Sequence, residues 1–324
     1  MANIESGVLP GNDKVCKVGE GIYAIDTDYV RRRQDASHLV VDSGRAAFVD
    51  TGTNHAIPNL EAALGLLSLG PKDVEYLFLT HVHLDHAGGA GLLAQTFPRA
   101  QILVHPRGAS HLIDPARLIA ATRAVYGDEI YRRLYGEILP IPPERISVMA
   151  DGEERSLGAR RFRFLHTPGH ALHHLCIHEQ AAGVVFSGDT FGVSYREFDN
   201  TNGELVTVTA TPTQFDPEQL HASVRRIQEL RPGSVFLTHY SRVDQVQRLA
   251  EDLHADIDRH VAIARSHAES PDRLERITTD LWAHFALRLE QHGWAEKNAP
   301  MHLLEADVEL NAAGLVSWLE RLGR

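Results

Sequence analysis

His81-Val82-His83-Leu84-Asp85-His86 follows directly on the apolar run Tyr76-Leu77-Phe78-Leu79-Thr80. A single turn of backbone thus carries three imidazoles and a carboxylate, the nitrogen and oxygen donors that hydrolytic zinc, iron or manganese sites use. Histidine is abundant here, at 20 of 324 residues, so an isolated histidine carries little weight. Three of them with an aspartate inside six positions, at the end of a β-forming run, point to a metal site rather than a solvated loop.

Working outward, composition bounds what such a site could serve. At 324 residues the chain exceeds a typical single domain, so one large domain with an appendage is expected. A hydrophobic share of 43% and a charged share of 23% are ordinary for a soluble globular protein. The net charge of −11 argues against nucleic acid held by bulk electrostatics, while a small anionic ligand remains compatible with a few local cations. The two cysteines, Cys16 and Cys176, have no metal-ligand spacing, and Cys176 reads as a buried thiol. The start, Met1-Ala2-Asn3-Ile4-Glu5, lacks the basic and apolar regions of a leader, and no run approaches membrane-spanning length. A cytoplasmic protein acting on a small molecule, without a membrane or nucleic-acid partner, is the expectation.

The first third reads as short strands: Gly21-Ile22-Tyr23-Ala24-Ile25, Ser37-His38-Leu39-Val40-Val41 and Ala46-Ala47-Phe48-Val49-Asp50, with a turn at Asp42-Ser43-Gly44-Arg45. Leu60, Leu64 and Leu67 predict a helix over about 55–69, ended by Gly70-Pro71. Ala87-Gly88-Gly89-Ala90-Gly91 opens another, its positive end toward Asp85. Residues 106–137 read as mostly helical, either a lid or a packed surface hairpin. Strands return at 160–165, where the alternation leaves the arginines on a solvated face, at 174–177 and at 183–186. Asp216-Pro217-Glu218-Gln219 caps a helix with Leu220, Val224, Ile227 and Leu230 as its stripe, and Ser234-Val235-Phe236-Leu237-Thr238 is the strand after it. Beyond about residue 242 only amphipathic helices remain, marked by Val246 to Val261, Ile277 to Leu289 and Leu315 to Leu322.

Three further strand ends repeat the grammar of the opening cluster. Leu165-His166-Thr167-Pro168-Gly169-His170, Val185-Phe186-Ser187-Gly188-Asp189-Thr190 and Phe236-Leu237-Thr238-His239-Tyr240 each run from apolar strand to ligand-type residue. Polar residues at strand ends collect at one rim of an α/β sheet, where sites are built.

With Phe48-Val49-Asp50-Thr51-Gly52 added, these motifs resemble, in order, those of the metallo-β-lactamase-fold hydrolases, in particular the glyoxalase II-like branch. The resemblance covers about residues 15–242. It implies an αββα sandwich as catalytic domain over 1–242, with a C-terminal helical extension over 243–324. Carried over by motif, it implies one metal on His81, His83 and His170 and a second on Asp85, His86 and His239, with Asp189 bridging the two. Asp85 and Asp189 would be the catalytic carboxylates. Asp50 would shape the site from behind the ligands or cap a local turn, and His174 would back a ligand or pack as an ordinary polar group. Phe191, Tyr195 and Arg196, after the bridging aspartate, and Tyr240, beside His239, are the substrate-facing candidates.

Seven nitrogen and oxygen donors without cysteine suit two divalent ions, zinc first and iron or manganese also allowed. Two such ions would generate a bridging hydroxide to cleave a small ester, thioester or lactone. Two other reactions stay open on the same fold. A mononuclear non-haem iron persulfide dioxygenase would use His81, His170 and Asp189 as a two-His-one-carboxylate triad. A phosphodiesterase is disfavoured by the acidic charge. The stretch 191–199 departs from the glyoxalase II pattern, and the C-terminal helices carry no evident basic cluster for glutathione. Those helices could equally support a homodimer, cover the site mouth or pack on the sandwich.

Overall fold

The computed structural model describes residues 7–210, 214–295 and 299–323, so the start read above for a leader lies outside the described residues. Two sheets face each other. The first runs in chain order through β1 (Val8–Leu9), β2 (Asn12–Gly19), β3 (Ile22–Asp26), β4 (Ala36–Asp42), β5 (Arg45–Val49), β6 (Val74–Phe78), β7 (Gln101–Val104) and β8 (Ile146–Val148). Its first half is an antiparallel meander; β5 to β8 are parallel. Parallel neighbours need crossovers. These are supplied by α1 (Ile57–Leu66), then α2 (Leu84–Ala87) with α3 (Ala90–Thr96), then α4 (Pro106–Ile113) with α5 (Ala116–Tyr135).

The second sheet comprises β9 (Glu154–Leu157), β10 (Arg160–His166), β11 (Leu175–Glu179), β12 (Val184–Gly188), β13 (Ser234–Leu237) and β14 (Ser241–Val243), in sequence order across the sheet. Here β12 and β13 are parallel, joined through α6 (Pro217–Leu230). The capping expected for α6 is present: Asp216 accepts from the Gln219 N–H at 3.0 Å, and Pro217 opens the helix.

Alternation decides what lies between the sheets. On β10, Phe162 and Phe164 point inward while Arg161 and Arg163 are exposed. Those rings meet Phe78, Phe186 and Phe236 in an inter-sheet core, where full burial of each ring contributes roughly 2–3 kcal/mol. The outer face of the first sheet buries Phe48, Leu77 and Ile102 under Leu60, Leu64, Leu93 and Phe97. The four layers make an αββα sandwich.

Three more helices, α7 (Val246–Ser266), α8 (Arg273–Gln291) and α9 (Glu305–Leu322), follow β14. Their stripes, including Leu253, Leu281, Phe285, Leu315 and Trp318, join Val224 and Ile227 of α6 and Val185 and Val235 of the second sheet in one apolar cluster. The expected division at 242/243 thus separates two stretches whose buried side chains share a core.

One local expectation is corrected and another is extended. The helix expected over 55–69 is shorter, because Ser68 adopts a left-handed φ of 57° just past its end. The helix read from the glycine-rich stretch is α3, opening at Ala90, and an additional short helix, α2, begins at Leu84 inside the histidine cluster, so Asp85 lies in its first turn. Gly88-Gly89 then interrupts it before α3.

Candidate metal centre

β5, β6, β12 and β13 all end at one rim, and each delivers a polar residue there: Asp50, Thr80-His81, Asp189 and Thr238-His239. Two glycines make the approach close enough. Gly169, with φ 134°, lies against the backbone of Leu220, and Gly188, with φ 48°, would bring a Cβ within 2.6 Å of Thr80 Oγ1. No L-residue would fit either position without strain. Each immediately precedes one of the converging residues, His170 and Asp189.

Donor atoms of His81, His83 and His170 lie within 4.8 Å of one another, as do those of Asp85, His86 and His239. His81 Nε2 is 2.8 Å from His83 Nδ1, and His170 Nε2 is 3.1 Å from that same atom. Asp189 lies between the two groups. Its Oδ2 is 3.3 Å from His170 Nε2, while Oδ1 is 3.3 Å from His86 Nε2 and 3.4 Å from His239 Nε2. Asp85 Oδ2 faces His86 and His239 at 3.6 and 3.7 Å.

The far side of each imidazole explains why these nitrogens point inward. His86 Nδ1 donates to Asp50 Oδ2 at 2.8 Å, and His239 Nδ1 donates to Asp35 Oδ1 at 2.6 Å. His170 Nδ1 donates to the Thr209 carbonyl at 3.3 Å, and His81 Nδ1 donates to Thr80 Oγ1 at 3.2 Å. Each of these four rings therefore keeps its Nε2 lone pair for the site, which is how metal-binding histidines are held.

Asp50 organises much of this rim. Its carboxylate accepts from the Thr80 N–H at 2.8 Å, from Thr80 Oγ1, from Thr238 Oγ1 and from His86. The residue is buried, with a left-handed φ of 55° that a non-glycine residue adopts only when its surroundings hold it there. His174 is likewise buried: its Nε2 accepts from the Asp189 N–H at 3.2 Å, and its Nδ1 faces Thr167 Oγ1 and Thr190 Oγ1.

The electrostatics favour a cation. Burial and the neighbouring imidazoles hold His81 and His83 well below the ordinary histidine range, so both are neutral, the form that ligates. His86 and His239 shift the other way: burial opposes protonation, but Asp189, Asp85 and Asp50 around His86, and Asp35 and Asp189 around His239, outweigh it. Asp189 is itself held well below the carboxylate range, since three imidazoles outweigh its burial. His86 Nε2 and Asp189 Oδ1 are buried with no hydrogen-bond partner. Five imidazole nitrogens and two carboxylates converging with lone pairs inward fit divalent ions, and no thiol competes.

Among the substrate-facing candidates, three are engaged elsewhere. Phe191 is wholly buried among the helices outside the second sheet, and Tyr240 is part of the inter-sheet core. Arg196 donates to the carbonyls of Ser194 and Arg242 and pairs with Asp199. Tyr195 is buried too, but its hydroxyl meets both carboxylate oxygens of Asp307, on α9, at 3.1 Å, and Arg31 stacks on its ring.

Sequence reasoning missed several contributors. Asp35, Thr209 and Asp307 carry no motif. A signal did exist for the threonines: Phe78-Leu79-Thr80-His81 and Phe236-Leu237-Thr238-His239 are the same tetrapeptide, and both threonines donate to Asp50. The 106–137 segment places Tyr131 and Tyr135 against Tyr29 and against Leu84, the neighbour of Asp85. The Tyr29 and Tyr135 hydroxyls meet at 2.7 Å, and Asn54 Nδ2 donates to the Glu137 carbonyl just beyond the helix.

Comparison with known proteins agrees with this geometry. The family model described as the metallo-beta-lactamase superfamily matches residues 30–239. The chain belongs to the metallo-β-lactamase superfamily. Within that superfamily it is 30% identical over 184 residues to an acyl-coenzyme A thioesterase of Gallus gallus, across 53% of this chain and 63% of that protein. The match thus spans less than two thirds of the thioesterase's own length. A hydroxyacylglutathione hydrolase of Salmonella paratyphi A is 29% identical over 218 residues, 63% of this chain and 69% of that one. A superfamily structure from Thermus thermophilus superposes with a TM-score of 0.63 across 94% of each chain, at 21% identity, a likeness of fold.

Proposed function

We propose that this chain is a dinuclear metal-dependent hydrolase of a small ester, thioester or lactone. The observation that carries the reading is Asp189, whose two carboxylate oxygens face different imidazole groups, one toward His170 and the other toward His86 and His239. A carboxylate so placed suits a bridge between His81, His83 and His170 on one ion and Asp85, His86 and His239 on the other. Two divalent ions there, zinc first and iron or manganese allowed by the same donors, would lower the pKa of water toward neutrality and polarise a substrate carbonyl.

The remaining steps belong to the chain itself. Asp35, Asp50 and the Thr209 carbonyl hold three of the imidazoles in one tautomer before substrate arrives. Asp85 and His83 are the partly exposed members of the seven donor residues; 22% of the Asp85 side chain is open, and its carboxylate is placed to receive a proton on that side. The Tyr29 and Tyr135 hydroxyls lie behind Leu84 on that same side and are kept protonated, by burial first and by Asp85 in addition. A thioester or ester is favoured by the similarity to a thioesterase and to a hydroxyacylglutathione hydrolase. The acidic net charge and the buried Cys176 thiol fit a cytoplasmic enzyme of small substrates. Among the described residues, no helix is long and apolar enough to cross a membrane.

A hydrolysis panel with defined metals tests the reading. Apoprotein reconstituted with zinc, iron or manganese is offered thioesters, carboxylate esters, lactones, β-lactams and phosphodiesters. Metal-dependent turnover of the first three classes is expected. Turnover confined to phosphodiesters, or oxygen uptake on a persulfide without hydrolysis, would overturn it.

A further inference from the structure

The helices beyond β14 hold a short segment of backbone, residues 204–210, that touches the metal centre. We infer that Asn311 on α9, with Asp256 on α7 and Arg288 on α8, are positioning residues for His170, an inference that rests on the metal-hydrolase reading above.

The chain of contacts begins at the Thr209 carbonyl, which accepts from His170 Nδ1 at 3.3 Å. That bond selects the tautomer in which His170 Nε2 faces His83 and Asp189. Thr209 belongs to residues 204–210, a stretch outside any strand apart from the bridge between Thr207 and Val193. A carbonyl on such a stretch is only as well placed as its neighbours are anchored.

Beside the bridge to Val193, the side-chain anchors of residues 206–210 among the described residues come from the C-terminal helices. The Asn311 amide brackets Thr209: its Nδ2 donates to the Val208 carbonyl at 3.1 Å, and its Oδ1 accepts from the Ala210 N–H at 2.6 Å. Asp256 Oδ2 accepts from the Val208 N–H at 2.8 Å, and Arg288 Nη2 donates to the Val206 carbonyl at 2.8 Å. Asn311 is 2% exposed and sits in the apolar stripe of α9 with Val308, Ala312 and Leu315, where a hydrocarbon side chain would pack at least as well. Burying an amide there costs free energy unless its hydrogen bonds are made, and the bonds it makes are these two.

Asp256 is also close to His260 and His284, and donor atoms of these three residues lie within 4.8 Å of one another. Arg288, at 2.9 Å, already compensates the carboxylate, and His284 donates to its Oδ1 at 2.6 Å. The grouping therefore serves as an anchor for the Val208 N–H rather than as a third metal site.

The consequence is selective. Loosening residues 204–210 should weaken the ion held by His81, His83 and His170 and spare the one held by Asp85, His86 and His239, whose backing comes from Asp50 and Asp35. Full-length apoprotein is titrated with cobalt(II), reading stoichiometry and the d–d absorption spectrum. Asn311→Ala is expected to bind one ion as wild type does and the other about 10–100-fold more weakly, with an altered spectrum for that ion. Leu315→Ala, a cavity on the same helix that touches none of these bonds, should lower the melting temperature and leave both cobalt affinities unchanged. Should Asn311→Ala fail to fold, Asn311→Gln keeps the amide but displaces it by one methylene, and the same selective loss is expected. Two wild-type affinities in the folded Asn311 variant, or an equal loss in Leu315→Ala, would overturn the inference alone. A wild type that takes up no cobalt would overturn the metal-hydrolase reading beneath it.

Discussion

Thr238 Oγ1 donates to Asp50 Oδ2 at 2.9 Å across 188 residues of chain, joining the end of β13 in one sheet to the end of β5 in the other. Thr80 makes the equivalent bond from β6, so one carboxylate gathers three strand ends and His86. Asp50→Ala removes the acceptor for all of them at once and leaves buried donors unmatched. The expected cost is about 3–5 kcal/mol of folding stability, with loss of the ion on the His86 side. Denaturant unfolding of apo and metal-loaded protein measures both. A variant within about 0.5 kcal/mol of wild type would show that the rim does not depend on Asp50.

The tyrosine pair gives a second expectation. Tyr29 and Tyr135 are both buried, and their hydroxyls meet at 2.7 Å beside Leu84. Tyr135→Phe leaves the Tyr29 hydroxyl without that partner, for a loss of roughly 1–3 kcal/mol. Because these groups wall the site rather than react, KM should rise several-fold with kcat nearly unchanged. A fall in kcat at constant KM would instead make the hydroxyls part of the chemistry.

A pH dependence follows from His38, which is 2% exposed between Phe186 and Phe236 and faces Ser241 Oγ at 3.2 Å. Burial pushes its imidazole down to about 4, with Asp50 pulling weakly the other way. An unfolded histidine titrates near 6.5, so as the pH falls the unfolded chain takes up this proton first. The stability carried by the neutral ring is full above about pH 6.5 and is lost progressively toward pH 4, to the extent of about 3 kcal/mol. Apo wild type should therefore lose that much more than His38→Gln between pH 7 and pH 4. Parallel stability curves would contradict the assignment.

What could be read ahead of the structure follows from where each residue lies along the chain. His81 to His86 are contiguous, and His170, Asp189 and His239 each stand at the end of an apolar run, so the residues that converge announce themselves by position. Their supports do not. Asp35 reaches His239 across 204 residues, and Asn311 reaches the neighbours of Thr209 from the far end of the chain. No local pattern encodes such contacts, because tertiary packing creates them. Phe191 and Tyr240 show the opposite error: closeness in sequence to Asp189 and His239 says nothing about direction, and both side chains turn into apolar cores. The glycine-rich stretch opens α3 as its sequence suggests, whereas α2, only four residues long, is too short to show a periodic pattern.

The central claim is the two-ion site divided by Asp189, and metal content tests it most directly. Protein purified without chelator and assayed by elemental analysis should carry close to two divalent ions per chain. Chelation should abolish thioester hydrolysis, and adding zinc back should restore it. A single iron per chain, with oxygen consumed on a persulfide and no hydrolysis, would contradict the account.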